Sequence, residues 1–268
     1  MIRPAELRAT ARLIGLPVDI VEKDYALGWI LAGVVRSKPG PQLVLKGGTA
    51  LSKIYYPRGW RLSEDLDFTA RHVVKLEDAA IGLAGELPDL VYKLSGGLRV
   101  AARDPPHVAG EGYMQLKVRF EGPIGAGVVK IEASREDPVG PTSTRTLARS
   151  YPDYPSERVK VYTLENIVSE KLRAMAERQR VRDYYDVWKL AKSGGVDWSI
   201  VRELLPKKCA FKGVRVTSIR DIFPRGLEAA LGAYIDVGLT RLTAEPLPEL
   251  GIWLNETRKI VRTELKLP

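Results

Sequence analysis

Asp65 and Asp67 stand two residues apart in the run RLSEDLDF, residues 61–68. On an extended strand such a pair projects from one side while Leu66 and Phe68 face the other, placing two carboxylates together above a buried face. Paired carboxylates suit Mg2+, a hard cation that takes one or two of them together with substrate phosphates. A two-metal arrangement can clamp the attacking and leaving oxygens of an in-line displacement. Arg61 and Ser63 share the aspartates' parity and are expected to line the same face. Upstream, the apolar run 42–45 leads into KGGTALSK, residues 46–53. There Gly47, Gly48 and Thr49 turn the chain and open a helix. Backbone N–H groups at such a turn approach a phosphate closely, because glycine has no Cβ and a helix N-terminus is partly positive. Lys46, Thr49 and Ser52 add side-chain contacts. This is not a P-loop, since Gly-x-x-x-x-Gly-Lys-Ser/Thr is absent. The cradle followed by the carboxylate pair reads as an active site for nucleoside triphosphates.

Two further groups extend it. Glu132, in VVKIEAS at 128–134, shares parity with Lys130 and Ser134. If its strand pairs with that of Asp65 and Asp67, Glu132 completes a carboxylate triad, as metal ligand or as base for an attacking hydroxyl. Lys171, Arg178, Arg182 and Asp186 are spaced so that on one continuous helix they form a basic stripe with Asp186 at its edge. That stripe would hold a triphosphate, with Asp183 or Asp186 orienting a basic side chain or contacting base or sugar. Each element has a plain alternative: an Asp-x-Asp pair on a solvated surface, an ordinary strand-to-helix turn, a surface glutamate, a solvated amphipathic helix.

The elements that must position these residues read as two halves. Residues 4–14 form a short helix ended near Gly15 and Pro17, and 19–37 a longer one, with Asp19 and Glu22 in its first turn as the dipole favours. A strand at 42–45, a helix at 49–56, a turn at 57–59 and a strand at 61–69 carry the motifs. Residues 75–94 are helical, weakened by Pro88. Strands follow at 98–102, 113–120 and 127–133. In the second, Met114, Leu116, Val118 and Phe120 alternate with Gln115, Lys117 and Arg119, a sheet with one wet face. Residues 136–157, rich in Pro, Ser, Thr and Tyr, form an irregular connection. Thr163 caps one helix over 165–192 that stops at Gly194-Gly195. Further helices are expected over 196–205, 226–239 and 248–265. The domain division is 1–157 and 158–268.

Composition narrows the class. Hydrophobic residues at 45% and charged residues at 28% fit a globular protein. The 42 Lys and Arg against 33 Asp and Glu leave a net +9, which favours an anionic partner such as nucleic acid or nucleotide. With one cysteine, Cys209, no intrachain disulfide forms. Cys209, His72 and His107 lack zinc-ligand spacing. The charged start lacks a signal peptide's apolar run, and the longest apolar stretch, 26–35, is too short to span a bilayer. A cytoplasmic protein with no membrane association is expected.

The motifs together resemble the AbiEii/AbiGii toxin family of nucleotidyltransferases: KGGTALSK at 46–53, RLSEDLD at 61–67, VEKDY at 21–25, and EKLRAMAER at 170–178 with RDYYDVW at 182–188. The four pieces occur in the family's order, and beyond residue 190 only a helical tail is shared. The resemblance implies an α+β fold, a DNA-polymerase-β-like nucleotidyltransferase core (a mixed sheet with flanking helices) plus a C-terminal helical domain that completes the active-site cleft. It implies Mg2+-dependent transfer of a nucleotide from a nucleoside triphosphate to an acceptor, in characterised relatives the 3′ end of tRNA. By the resemblance Gly47 and Gly48 contact phosphates, Asp65 and Asp67 hold Mg2+, and Ser63 lies beside the catalytic carboxylates. Lys171 and Asp186, with Arg182 and Asp183, act from the C-terminal domain. Such proteins are usually half of a toxin–antitoxin pair, so an antitoxin encoded by a neighbouring gene is expected. Rival readings are nucleotidylation of a protein or small molecule, and a nucleotide-binding module without turnover.

Overall fold

The computed structural model describes residues 1–57, 59–71, 75–135 and 140–268. His72, Arg58 of the expected turn and the start of the expected 136–157 connection lie outside the described residues.

The elements in order are α1 (Pro4–Ile14), α2 (Val18–Arg36), β1 (Leu43–Lys46), α3 (Gly47–Ala50, continued by a wider π turn, Leu51–Tyr55), β2 (Asp65–Ala70), α4 (Leu76–Ser95), β3 (Arg99–Ala102), β4 (His107–Ala109), β5 (Tyr113–Glu121), β6 (Ala126–Arg135), β7 (Thr142–Thr146) and β8 (Arg158–Tyr162). The helical remainder is α5 (Leu164–Arg178), α6 (Val181–Ser193), α7 (Trp198–Phe211), α8 (Ile219–Ile222), α9 (Leu227–Gly232), α10 (Ile235–Gly238) and α11 (Leu250–Leu265). Chain contacts divide it into two compact units: Met1–Val139 with Ser143–Val161, and Gly140–Thr142 with Tyr162–Pro268. No helix among the described residues is long and apolar enough to cross a membrane.

The first unit is built on a mixed sheet in the order β3-β5-β6-β2-β1-β8-β7, with β4 paired to β5. β1 runs antiparallel to β2, β2 parallel to β6, and β5 antiparallel to β6. One face is apolar: Leu66, Phe68, Met114, Leu116, Val118, Val129 and Ile131 are buried. α2 and α4 pack against it. α2 is buried on nearly all sides, as a helix with few polar positions must be. α4 runs through Pro88 without a break. Its apolar stripe, Leu83, Leu87 and Val91, is buried, and that burial offsets the hydrogen bond that proline removes.

Several expectations are corrected. The helix after β1 begins at Gly47, not Thr49, and β2 begins only at Asp65. Residues 61–64 are therefore not strand, and parity does not place Arg61 and Ser63. Thr142–Thr146 is a strand inside the stretch expected to be irregular. β4, β7 and β8 were not expected; they are short, and β7 is polar throughout, so no apolar alternation marks it. The expected helix 165–192 is two helices, broken where Gln179 takes the left-handed conformation (φ 44°). Gln and Arg are good helix formers, so nothing in the local sequence marks the break. The expected helix 226–239 is likewise two short ones.

The second unit packs α5 against α7 and α6, and α6 against α11. Trp253, Tyr184, Leu172, Met175, Val187, Val201 and Val261 form its core.

Candidate active site

The polar face of the sheet sets one row of side chains by register alone. Lys46 pairs across β1 and β2 with Asp67, Asp67 across β2 and β6 with Glu132, and Glu132 across β6 and β5 with Gln115. Cross-strand partners share a face, with side chains about 5 Å apart. Asp65 occupies the next row and pairs with Lys130, whose Nζ lies 3.4 Å from Asp65 Oδ2. The sequence expectation that Glu132 neighbours the aspartates is met, because β6 runs beside β2 in register.

The glycine pair lies against this row. Gly47 has φ +72°, and a Cβ there would stand 2.8 Å from Asp67 Oδ2. A Cβ on Gly48 would stand 2.6 Å from Arg61 Nη2. Position 47 therefore favours glycine for conformation and space, while a side chain at position 48 would push the Arg61 guanidinium from its seat. The turn, a carboxylate and a guanidinium meet within one side chain's reach. Arg61 arrives there from an irregular segment, is buried, and donates from Nη1 to the Leu62 carbonyl at 3.2 Å. Ser63 Oγ sits 2.8 Å from Thr49 Oγ1, which also donates to the Asp65 carbonyl at 2.5 Å. Ser63 and Thr49 thus tie the cradle helix to the start of β2. Lys46 Nζ donates to Ser134 Oγ at 3.2 Å.

Glu132 has its own partners. Tyr113 Oη and Gln115 Nε2 both donate to its Oε1, at 2.9 and 2.7 Å. Burial, then the bond to Glu132, pushes the Tyr113 phenol up to about 12. Neither residue was singled out from sequence; their parity with Lys117 and Arg119 was the available signal. Among the described residues no three His, Cys, Asp or Glu side chains converge as a ready-made cation site. The donor set still fits a hard cation held jointly with phosphate: Asp65 and Asp67 are half-buried on one face, and Mg2+ takes one or two carboxylates when phosphate oxygens fill its shell.

The VEKDY segment of α2 holds this half together. Glu22 Oε1 accepts the Ile124 and Gly125 amides at 2.6 and 3.0 Å, anchoring the β5–β6 hairpin. Lys23 Nζ lies 3.6 Å from Glu64 Oε1. Asp24 Oδ2 takes Lys53 Nζ at 2.6 Å and the Tyr151 hydroxyl at 3.0 Å, all buried. Tyr25 donates to Asp153 at 2.7 Å. Burial pushes the Lys53 amine down, against the pull of Asp24. Burial, then the Asp24 charge, holds the Tyr151 and Tyr154 phenols well above their usual value. Lys53 ends the KGGTALSK run, so Asp24 fixes the cradle helix from below.

In the helical unit the expected stripe becomes an ion cluster. On one continuous helix Lys171 and Asp183 would stand about 18 Å apart along the axis. The break at Gln179 folds α6 back, and Lys171 Nζ reaches Asp183 Oδ1 at 3.0 Å and Asp186 Oδ2 at 2.7 Å. Asp186 is fully buried. Arg178 Nη2 lies 3.3 Å from Asp183 Oδ2, and Arg182 Nε donates to the Gly238 carbonyl at 2.5 Å.

A family model described as "Nucleotidyl transferase AbiEii toxin, Type IV TA system" matches residues 29–254. No curated protein matches the sequence. Among solved structures, MenT4, a nucleotidyltransferase toxin from Mycobacterium tuberculosis H37Rv, is similar with a TM-score of 0.62 at 19% identity, covering 97% of this chain and 98% of that one. JHP933 from Helicobacter pylori is similar with a TM-score of 0.57 at 17% identity, covering 94% and 95%. These likenesses establish a shared fold.

Proposed function

We infer the reaction from one premise: the chain belongs to the AbiEii family of nucleotidyltransferase toxins of type IV toxin–antitoxin systems. Nucleotidyl transfer is the family's activity, and an antitoxin partner is implied by its system. We propose Mg2+ as the cation, an RNA acceptor, specifically the tRNA 3′ end, and a cytoplasmic setting.

The observation that carries the reading is the meeting of Gly47, Gly48, Asp67 and Arg61. A phosphate cradle without a carboxylate would serve binding; a carboxylate brought to within a Cβ's distance of the cradle serves transfer. The Gly47 and Gly48 backbone, with Lys46, Thr49 and Arg61, binds the triphosphate, and Ser63 fixes Thr49. Asp65 and Asp67 would hold Mg2+, which would offset the phosphate charge and favour attack at the α-phosphorus. Glu132, the third carboxylate, accepts the proton of the acceptor 3′-hydroxyl, its orientation set by Tyr113 and Gln115. The hydroxyl oxygen bonds to the α-phosphorus, the α–β phosphoanhydride bond breaks, and pyrophosphate leaves.

From residues 158–268, which we take as the helical domain, we assign Lys171, Asp186, Arg182 and Asp183 to the reaction by their family motif. A lysine held between two buried carboxylates supports the assignment, since burying such charges is costly for structure alone. In the test, total RNA, each labelled nucleoside triphosphate and Mg2+ are incubated with wild type, Asp65→Ala and Lys171→Ala. Label in tRNA-sized RNA with wild type only supports the reading. Label unchanged in Asp65→Ala, or none in RNA, overturns it. A labelled protein band instead would move the acceptor to protein.

A further inference from the structure

The polar face of the sheet does not end at the carboxylates. Following register outward from Asp65, Lys130 pairs with Lys117 on β5, and Arg119 follows two residues on. Beyond them Arg99 on β3 lies beside Glu121, and the Arg103 amide bonds the Lys117 carbonyl. Strand partners and alternate residues share a face, so Lys130, Lys117, Arg119 and Arg99 stand on the face that carries Asp65, Asp67 and Glu132. Arg103, just past the end of β3, joins them through Asp104, whose Oδ2 lies 3.9 Å from both Arg103 Nε and Lys117 Nζ. The opposite face of these strands is the buried one, under α2 and α4.

These cations are open to solvent: Lys117 is 44% and Arg119 60% exposed. Asp104 and Glu121 neighbour the outer cations, in contacts of 3.9 Å between exposed groups, and Asp65 lies 3.4 Å from Lys130. Such pairs contribute little and yield to a better anion. Five cations against three carboxylates leave an excess of positive charge in a stripe from Asp65 to the β3 edge. At about 4.8 Å per strand the four strands span roughly 15 Å. That length accommodates about four stacked nucleotides at 3.4 Å each.

We propose that this stripe is the track for the single-stranded end of the RNA acceptor: its phosphates lie along Arg99, Arg103, Arg119, Lys117 and Lys130, delivering the 3′-hydroxyl to the carboxylates. The proposal rests on the nucleotidyl-transfer reading for the acceptor's identity. The charge complementarity and the continuity of the stripe with the carboxylate row carry it. Phosphate contacts position without reading sequence, so the track accepts any single strand, and selectivity lies elsewhere.

The test uses full-length protein, no nucleotide, and a fluorescently labelled 20-nucleotide single-stranded RNA, with anisotropy read across a salt series. The variant is Arg99→Ala/Lys117→Ala/Arg119→Ala. Its control, Lys212→Ala/Arg215→Ala/Arg220→Ala, removes the same charge from exposed sites of the helical unit. Loss of three phosphate contacts should flatten the slope of log K on log salt by about 2 and raise Kd on the order of 10- to 100-fold near 0.1 M salt. The control should keep the wild-type slope. Circular dichroism melts establish that both fold. Wild type that fails to bind RNA, a stripe variant that binds as wild type does, or a control that loses as much, each overturns the track. Labelled-nucleotide transfer, measured alongside at saturating RNA, fails separately if the reaction is misassigned: RNA would bind along the stripe and gain no nucleotide.

Discussion

Replacing Gly47 with alanine separates what the cradle needs for folding from what it needs for chemistry. Gly47 sits at φ +72°, where an L side chain is strained by about 1–2 kcal/mol. In a protein of this size that lowers the melting temperature by about 2–8 °C. The new Cβ would also stand 2.8 Å from Asp67 Oδ2, where ordinary contact begins near 3.4 Å. Asp67 must move by more than half an ångström, and a misplacement of about 1 Å costs on the order of 100-fold in rate. Gly15→Ala is the matched comparison: φ +77°, at the end of α1, with nothing within 4 Å of its Cβ. Both variants should melt early by similar amounts, measured by circular dichroism. Only Gly47→Ala should lose kcat for nucleotide transfer, about 10- to 100-fold. Transfer by Gly47→Ala within threefold of Gly15→Ala would refute the claim that the carboxylate's seat against the turn matters.

Asp24→Ala strands the fully buried Lys53 amine and should destabilise the protein by about 3–5 kcal/mol in urea unfolding; Lys53→Met added to it should restore part of the loss, and no restoration would contradict a buried-charge cause. Lys171→Met leaves Asp183 and Asp186 buried without their shared amine, so stability should fall by about 3–5 kcal/mol and transfer should be lost; a stable, active variant would contradict the cluster's role. Tyr151 and Tyr154 have folded values raised above their unfolded ones, so the stability they contribute is complete below the usual phenol value and is lost as pH rises above about 10. Absorbance at 295 nm should therefore show them ionising only with alkaline unfolding, whereas free titration before unfolding would contradict their burial. Chelation with EDTA should stop transfer and added Mg2+ restore it; transfer that persists in EDTA would remove the metal from the proposal.

The candidate site was legible as a pattern where chemistry and local sequence coincide. Gly47-Gly48 after an apolar run, and Asp65 with Asp67 in alternation, mark themselves, since few structural needs call for both. Glu132 was legible through parity, and the register of β2 with β6 supplied its neighbour. What was not legible depends on distant contacts. The role of Asp24 appears only when Lys53, Tyr151 and Tyr154 gather on α2 from up to 130 residues away. The break at Gln179 lets Asp183 and Asp186 meet Lys171, a tertiary contact that helix propensity does not show. The strand Thr142–Thr146, polar throughout, carries no alternation to read. Tyr113 and Gln115 looked like ordinary wet-face residues until β5 set them beside Glu132.

The central claim is that Asp67, seated against the glycine turn, and Asp65 beside it on β2 serve the addition of a nucleotide to an RNA 3′ end. Sequencing tRNA 3′ ends after incubation with protein, nucleoside triphosphates and Mg2+ tests it most directly. The account predicts 3′ ends extended by added nucleotides with wild type and unextended ends with Asp67→Ala. Unextended ends with active wild type, its label carried instead on protein or a small molecule, would contradict it.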